Sequence, residues 1–344
     1  MIKAQFAIPG ELDTPTGGYG YARRVMEEIG ALGIELEHLS LPGTYPLAAT
    51  EEIREAALRL REVPSDVPLI LDGLAGGALP AELLRELACP LIYLCHHPLA
   101  DETGLNSYDG RRLQENERVA LSVVKRVITT SHSTAAALAS RFGVGHGKLR
   151  VAPPGTDPVN RSPGSGKLVP TVLSVGSFSP RKGHHHLIEA LGRLSSEDWS
   201  LRLVGASSDP AYLLKIEQQI VDLGLQQRVA LLGPMSSEDL AIEYENADIF
   251  ALASVYEGFG MVFAEAVAHG LPALGHRIGA IAEATQGAAE LVPIGELSRP
   301  LARAIKSAEA RAQMADRSWE AAKRLFRWTD TARVIAQVIK EVAP

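Results

Sequence analysis

DIFALASVYEGFGMVFAEAVAHGLPALGHR, Asp248 to Arg277, reads as strand, glycine loop, helix, glycine turn and strand. DIFALAS and PALGHR are apolar runs of strand length. Between them Val262, Phe263, Ala266 and Val267 recur at helical spacing, so a helix is expected to begin near Gly260 with Glu265 facing away from the apolar stripe. Two neighbouring strands joined through a helix run parallel. The same alternation runs back through the chain, where KAQFAIP, PLILDG, PLIYLCH, RVITTS, LRVAPP, TVLSVGS, SLRLVG and RVALLG are further strand candidates. Helical patterns separate most of them, among them 21–32, 51–61, 112–123 and 133–142. An α/β fold of parallel sheets covered by helices is expected.

PPGTDPVNRSPGSGKLVP, Pro153 to Pro170, interrupts the alternation with Pro, Gly and Ser and reads as a linker. With 344 residues, the chain is long enough for two doubly wound Rossmann-like domains, 1–157 and 158–327. Ligands of such sheets bind at the carboxyl ends of the strands, and a deep cleft between the two halves is the expected site. The balance of 34 basic and 41 acidic residues gives a net charge of -7, so no global positive field draws in nucleic acid or anionic lipid. Cys89 and Cys95 show neither CxxC spacing nor a disulfide framework, which favours reduced thiols and a cytoplasmic protein. MIKAQFAIPGELDTP is a poor secretion signal and resembles a first strand, and no run approaches the ~20 apolar residues that span a bilayer. Peripheral membrane contact stays open.

Four stretches carry chemistry. In TPTGGYGYARRVMEEI, Gly17, Gly18 and Gly20 fall between a strand and a helix, where backbone amides can approach an anion; a tight turn explains them as well, and the spacing is not GxGxxG. SVGSFSPRKGHHHLIEAL sets Gly176, Ser177, Arg181, Lys182 and Gly183 between strand and helix. A guanidinium fork and an ammonium suit phosphate there, and a solvated loop is the plainer alternative. His184, His185 and His186 follow, but consecutive helical residues point about 100° apart and do not converge on one metal ion. LIYLCHHPLADETG ends a strand with His96 and His97; such a pair can bind substrate or move protons, while a structural role suits at least one of them.

In the opening stretch, Gly258 and Gly260 let the backbone approach a ligand, and the amides of Gly260, Met261 and Val262 at the helix start suit a diphosphate. Glu257 and Glu265 repel phosphate and accept hydrogen bonds from hydroxyl groups. Phosphate in the middle with hydroxyls on both sides describes a nucleotide sugar. A capped helix with solvated acids accounts for the glutamates but leaves both glycines without a role.

Several of these motifs, in this order, resemble the retaining, nucleotide-sugar-dependent glycosyltransferases of family four, whose two-domain architecture is called GT-B. EGFGMVFAE resembles the family's E-x7-E element, GLPALGHRIGAIAE its glycine-proline strand and following loop with Glu283 at the acidic position, GGYGYA its first glycine loop, SPRKG its phosphate loop and VAPPGTD its interdomain segment. FRWTDTARVIAQVI resembles the terminal helix, about 328–344, that returns to the first domain. The resemblance implies that Lys182 and Arg181 hold the donor diphosphate, Glu265 the ribose and Glu257 the transferred sugar. Gly258, Phe259, Gly260, Met261 and Val262 line the donor, which Gly17 and Gly18 approach from the first domain. Ser177 stands where many members carry Arg, and Arg181 is expected to substitute. The family's histidine is His96 or His97, and His97 is placed in the catalytic group with Arg181, Lys182 and Glu257.

The implied reaction moves a hexose-type sugar from a nucleoside diphosphate to an unidentified hydroxyl on a glycan, a lipid-linked molecule or a small molecule. It relies on electrostatic stabilisation of the departing diphosphate rather than on the carboxylate nucleophile of retaining glycosidases. No cofactor or metal is implied, in keeping with the lack of an Asp-x-Asp motif. Acceptor choice falls to first-domain loops such as Leu74–Pro80 and Asp101–Arg112. Two other functions fit the same plan, a nucleotide-sugar epimerase and a catalytically silent binding protein; the retention of Lys182, Glu257 and Glu265 argues against the second.

Overall fold

The computed structural model describes residues 1–14, 16–102, 105–207 and 209–344. They form two units, Met1–Gly155 with Phe326–Pro344, and Thr156–Leu325. In the first unit β1 (Ile2–Pro9), α1 (Gly17–Ile29), β2 (Ile34–Leu41), α2 (Thr50–Arg61), β3 (Leu69–Asp72), α3 (Gly73–Gly76) and α4 (Ala81–Glu86) come in order. They are followed by β4 (Leu91–Cys95), α5 (Ser107–Val123), β5 (Arg126–Thr129), α6 (His132–Phe142) and β6 (Leu149–Val151). The second unit begins with β7 (Thr171–Val175), α7 (His184–Gly192), β8 (Ser200–Val204), α8 (Pro210–Asp222), β9 (Val229–Leu231), α9 (Ser237–Glu245) and β10 (Ile249–Leu252). It continues through α10 (Met261–Ala268), β11 (Ala273–His276), α11 (Ile281–Ala284), β12 (Glu290–Val292), α12 (Ser298–Lys306) and α13 (Ala308–Ala322), and α14 (Trp328–Val342) returns to the first unit.

Each unit holds one six-stranded parallel sheet, ordered β2-β1-β3-β4-β5-β6 and β12-β11-β10-β7-β8-β9. The central strands β3, β4, β7 and β10 are buried along their whole length, because helices cover both faces of a parallel sheet and leave no polar side. Two strands escape the apolar pattern, and both are edges. β2 pairs only with β1, from Ile2 opposite Ile34 to Pro9 opposite Leu41, and its open side tolerates Glu35, Glu37, His38 and Ser40. β12 closes the other sheet as the short segment ELV.

Helix starts also differ from the periodicity. α5 begins at Ser107 rather than Arg112 because the Asn106 side chain accepts from the amides of Tyr108 and Asp109 at 3.0 and 2.9 Å. α1 begins at Gly17, so Gly17, Gly18 and Gly20 lie within its first turn and not in a loop ahead of it.

α14 completes the first unit. Trp328, Ala332, Ile335, Ala336, Ile339 and Val342 form a buried stripe at helical spacing, and each buried Ile or Val contributes roughly 1.5–3 kcal/mol. The Trp328 ring meets Tyr21 of α1 edge-on at 5.8 Å. Polar ties fix the seam: the Tyr21 hydroxyl donates to the Ala152 carbonyl at 2.9 Å, and the Thr331 hydroxyl donates to the Pro153 carbonyl at 2.6 Å.

Candidate functional site

In the second unit, the chain leaving β7 passes through Gly176 and Ser177 into a 3-10 turn at Pro180–Lys182 and then enters α7. Gly183 closes the turn with a φ of 65°, and a Cβ there would stand 2.0 Å from the Ala253 carbonyl oxygen, so only glycine lets this loop lie against the end of β10. The Arg181 carbonyl accepts from the Val255 amide at 2.9 Å, joining the two loops. The Lys182 stem packs over Gly176, and its ammonium lies 2.7 Å from Glu257 Oε1.

Glu257 is only 5% exposed. The Ser254 hydroxyl donates to the same Oε1 at 2.7 Å. Both bonds converge on one oxygen, so among the described residues Oε2 carries no hydrogen bond and stays available to a ligand hydroxyl. Burial pushes the Glu257 carboxyl upward, but the Lys182 charge and hydrogen bond, the Ser254 hydroxyl and the Arg181 charge outweigh it and hold the pKa below the ordinary value. Glu257 therefore stays ionised at neutral pH. Lys182 spends one of its three donors on this pair.

α10 starts at Met261 behind Gly260, whose φ of 98° is left-handed and favours glycine. The Gly260 carbonyl already receives the amides of Phe263 and Ala264 at 3.0 and 3.3 Å. That leaves Met261 and Val262 as the first-turn amides oriented for an anion. The ring of Phe259 turns into the core, so this residue can offer a ligand its backbone rather than its side chain. Glu265 is partly buried on α10 and accepts from the Tyr244 hydroxyl of α9 at 2.9 Å. Burial raises its pKa, against the Tyr244 hydrogen bond and the Lys182 charge.

Sequence reasoning missed two supports of this site besides Ser254. Tyr244 is one, buried and donating to both Glu265 and the Val262 carbonyl. The other is His184, fully buried, whose Nε2 donates to the Gly176 carbonyl at 3.2 Å. Burial lowers its pKa to about 4, so it is neutral and anchors the loop as a hydrogen-bonding group. His185 turns instead to the Tyr212 hydroxyl at 2.7 Å, and His186 faces His276 at 6.3 Å between ring centres. Ser177 lies beside Ser179, with 3.4 Å between their hydroxyl oxygens. Glu283 is partly buried on α11. Among the described residues, no group of three or more His, Cys, Asp or Glu side chains converges as a metal cluster would.

In the first unit, the carboxyl ends of β3 and β4 bring Asp72 and His96 beside the start of α1. His96 Nε2 lies 3.5 Å from Asp72 Oδ2 and 3.5 Å from where a Cβ on Gly18 would stand. Tyr21 meets the His96 ring edge-on at 5.3 Å. His97 points elsewhere, its Nε2 3.0 Å from Glu102 Oε2. The two histidines thus occupy separate settings. Asp72 went unread in the sequence, although a carboxylate that ends the apolar run PLILD was the available signal.

Two doubly wound units, one of them presenting a lysine–glutamate pair beside a glycine-capped helix, have the architecture of the GT-B class. The model of the glycosyl transferases group 1 matches residues 160–324, and that of glycosyltransferase family 4 matches residues 21–160. The chain belongs to the family-four, group 1 glycosyltransferases. It is 26% identical to the MMP alpha-(1->4)-mannosyltransferase of Mycolicibacterium hassiacum, over 90% of this chain and 80% of that protein. To the D-inositol 3-phosphate glycosyltransferase of Corynebacterium efficiens it is 29% identical, over 75% of this chain and 68% of that protein. Among solved structures, sucrose-phosphate synthase from Thermosynechococcus elongatus superposes with a TM-score of 0.82 at 21% identity, covering 98% of both chains. Anabaena HepE in complex with UDP-glucose gives a TM-score of 0.79 at 21% identity, covering 99% of this chain and 100% of that one.

Among the described residues, no helix is long and apolar enough to cross a membrane. Cys89 and Cys95 are both buried and unbridged.

Proposed function

We propose that this transferase moves a hexose from a nucleoside diphosphate sugar to a hydroxyl acceptor with retention at the anomeric carbon and without a metal ion. The observation that carries the reading is the Lys182–Glu257 pair, a carboxylate held ionised with one oxygen to spare, next to a second cation and a helix start. Glu257 Oε2 takes a hydroxyl of the transferred sugar. Lys182, Arg181 and the amides of Met261 and Val262 meet the diphosphate, and Glu265 takes the ribose. Arg181 fills the role left open at Ser177, because Lys182 is already neutralised by Glu257 and the departing diphosphate develops further negative charge. Gly17, Gly18 and one histidine serve the donor from the first unit. His97 is the expected one, and the contact of His96 with Gly18 makes His96 its competitor. The UDP-glucose complex of HepE makes uridine diphosphate sugars the first donors to try; the mannosyltransferase relative adds nucleotide-linked mannose. Unbridged cysteines suit a cytoplasmic setting, with peripheral membrane contact allowed.

A thermal-shift panel of nucleotide sugars tests the reading, since a ligand at ~100 times its Kd adds ~2.7 kcal/mol. A rise in Tm with one donor, and turnover that persists in EDTA, are expected. Loss of turnover in EDTA that magnesium or manganese restores would remove metal independence. Donor incubated without acceptor should at most hydrolyse slowly; its conversion to another nucleotide sugar would establish the epimerase alternative instead.

A further inference from the structure

β10 and β11 lie side by side with Leu252 opposite Gly275, so His276, the last residue of β11, stands level with Ala253 at the carboxyl end of the sheet. Side chains alternate between the faces of a strand. Gly275 faces α10, where a Cβ would stand 2.7 Å from the Phe263 ring, and Leu274 turns the other way into the core with Leu187 and Ile188 of α7. His276 shares the face of Leu274 and is 1% exposed.

From this position the ring meets both loops of the candidate site. Its Nδ1 lies 3.1 Å from the Ser254 carbonyl oxygen. A carbonyl only accepts, so Nδ1 is the nitrogen that carries the proton. Burial is the largest influence on the imidazole and holds its pKa below the ordinary value, against the bond to Ser254. The ring is therefore neutral at pH 7. On its other side stands the ring of His186, in the first turn of α7 and four residues beyond Lys182, 6.3 Å away between centres and edge-on. Just past β11, the turn at Gly279 lies against Glu257 itself, since a Cβ there would stand 1.9 Å from the Glu257 carbonyl oxygen.

Packing alone does not account for an imidazole at this place. A leucine would fill similar space without burying Nε2, which makes no hydrogen bond among the described residues and carries the desolvation penalty of a buried polar atom. What a leucine lacks is the Nδ1–H.

We propose that His276 is a positioning residue for Glu257: its Nδ1–H fixes the Ser254 peptide, and the Ser254 hydroxyl, so fixed, occupies Glu257 Oε1 and leaves Oε2 turned toward the transferred sugar. The inference rests on the transferase reading, in which Oε2 takes a sugar hydroxyl. His276 touches no substrate in this scheme. It acts through one backbone carbonyl and one side-chain hydroxyl, and a carboxylate displaced by a fraction of an ångström is enough to slow transfer.

The test compares the whole wild-type enzyme with His276→Leu and His276→Asn, using the nucleotide sugar found by thermal shift and its nucleoside diphosphate. His276→Leu should weaken the nucleotide sugar and lower kcat/KM by about tenfold each, while affinity for the nucleoside diphosphate alone is unchanged. The Asn amide nitrogen, like Nδ1, is one bond beyond Cγ, so His276→Asn should restore most of the loss. His276→Gln carries its amide one bond further and should not; this pair decides the matter even where His276→Leu does not fold. In a Ser254→Ala background His276→Leu should change kcat/KM no further, because both act along one path. Two readouts need no donor. Nitrogen-15 spectra of the wild type should show His276 protonated at Nδ1, and crystals of His276→Leu should show the Ser254–Glu257 bond lost. Protonation at Nε2, an intact Ser254–Glu257 bond in His276→Leu, equal weakening of both ligands, additive losses, or Gln matching Asn would each overturn the proposal. If no nucleotide sugar raises the Tm of the wild type, the transferase reading itself has failed, which is a different result.

Discussion

Each unit buries one glutamate almost completely, and the pKa values of the two are moved in opposite directions. Glu117 on α5 has no exposed surface; it accepts from the Tyr93 hydroxyl at 2.9 Å and the Leu99 amide at 3.0 Å. Burial raises its pKa to about 7, because neutral donors and the more distant Arg141 offset only part of the desolvation. Glu257 is as hidden, yet an ammonium at 2.7 Å holds its pKa below the ordinary value. Burial alone therefore does not tell what a carboxylate will do. In the first unit Glu117 serves architecture, pinning the turn after His96 and His97 and, through Tyr93, the Gly73 carbonyl. In the second unit the neighbouring cation keeps the carboxylate charged.

The contrast can be broken most forcefully at Lys182. Lys182→Met strands Glu257 as a buried carboxylate without a cation, and removing one partner of a buried pair costs about 3–5 kcal/mol. Urea unfolding at pH 8 should show that deficit, together with loss of transfer. In the wild type, the stability from Glu257 is present above its unfolded pKa and is lost as pH falls through the lower folded pKa. In the variant only the Ser254 hydroxyl and the Arg181 charge oppose burial, the largest of the effects, so the folded pKa rises above the unfolded one and acid relieves the strain. The deficit must therefore shrink between pH 8 and pH 5; an equal deficit at both would show that the pair does not control Glu257.

Glu117 gives the mirror experiment. Its folded pKa is raised, so its stability contribution is fully present below the unfolded pKa and falls as pH rises toward about 7. The change amounts to about 3 kcal/mol. Glu117→Gln keeps an acceptor for Leu99 but does not titrate, so its stability from pH 5 to 8 should run flatter than the wild type's by that amount. Parallel curves would place the titration elsewhere.

Arg181→Ala should lower kcat/KM by about 2 kcal/mol, the lower end for removing a charge partner because the guanidinium is only partly buried. Adding Ser177→Arg should recover part of the loss, with melting curves checking that both variants fold. Normal kcat/KM in Arg181→Ala would leave Lys182 as the sole side-chain cation from this loop that acts on the donor. The smallest effect is expected at Tyr244. Tyr244→Phe removes one donor from Glu265 and should weaken donor binding by about 1 kcal/mol, more so at lower pH, since the Glu265 carboxyl, already raised by burial, would rise further. Donor affinity measured by calorimetry across pH would show it, and identical affinities would remove Tyr244 from the site.

What the sequence revealed and what it withheld follow from the range of the interactions. Glu257, Gly260 and Glu265 were legible because they sit within one strand–loop–helix repeat, and Lys182 because it stands in the matching loop of another. The central strands showed as unbroken apolar runs. The edge strand β2 did not, since its open side admits Glu35 and Glu37. Tyr244 and His184 stayed hidden because what defines them is a partner brought near by folding, Glu265 in one case and the Gly176 carbonyl in the other. The run of three histidines gave no hint that each would turn to a different neighbour.

The return of α14 to the first unit has a consequence for how the protein is made. Tyr21, Ala22, Val25 and Ile29 on α1 are buried in the finished fold, with the Tyr21 ring against Trp328 and the Tyr21 hydroxyl tied to Ala152. Thr156–Leu325 must all be translated before Trp328 exists to meet them. At ~5–20 residues per second that interval lasts roughly ten to thirty seconds. A nascent chain that stalls anywhere within Thr156–Leu325 therefore leaves that greasy seam bare to chaperones and proteases.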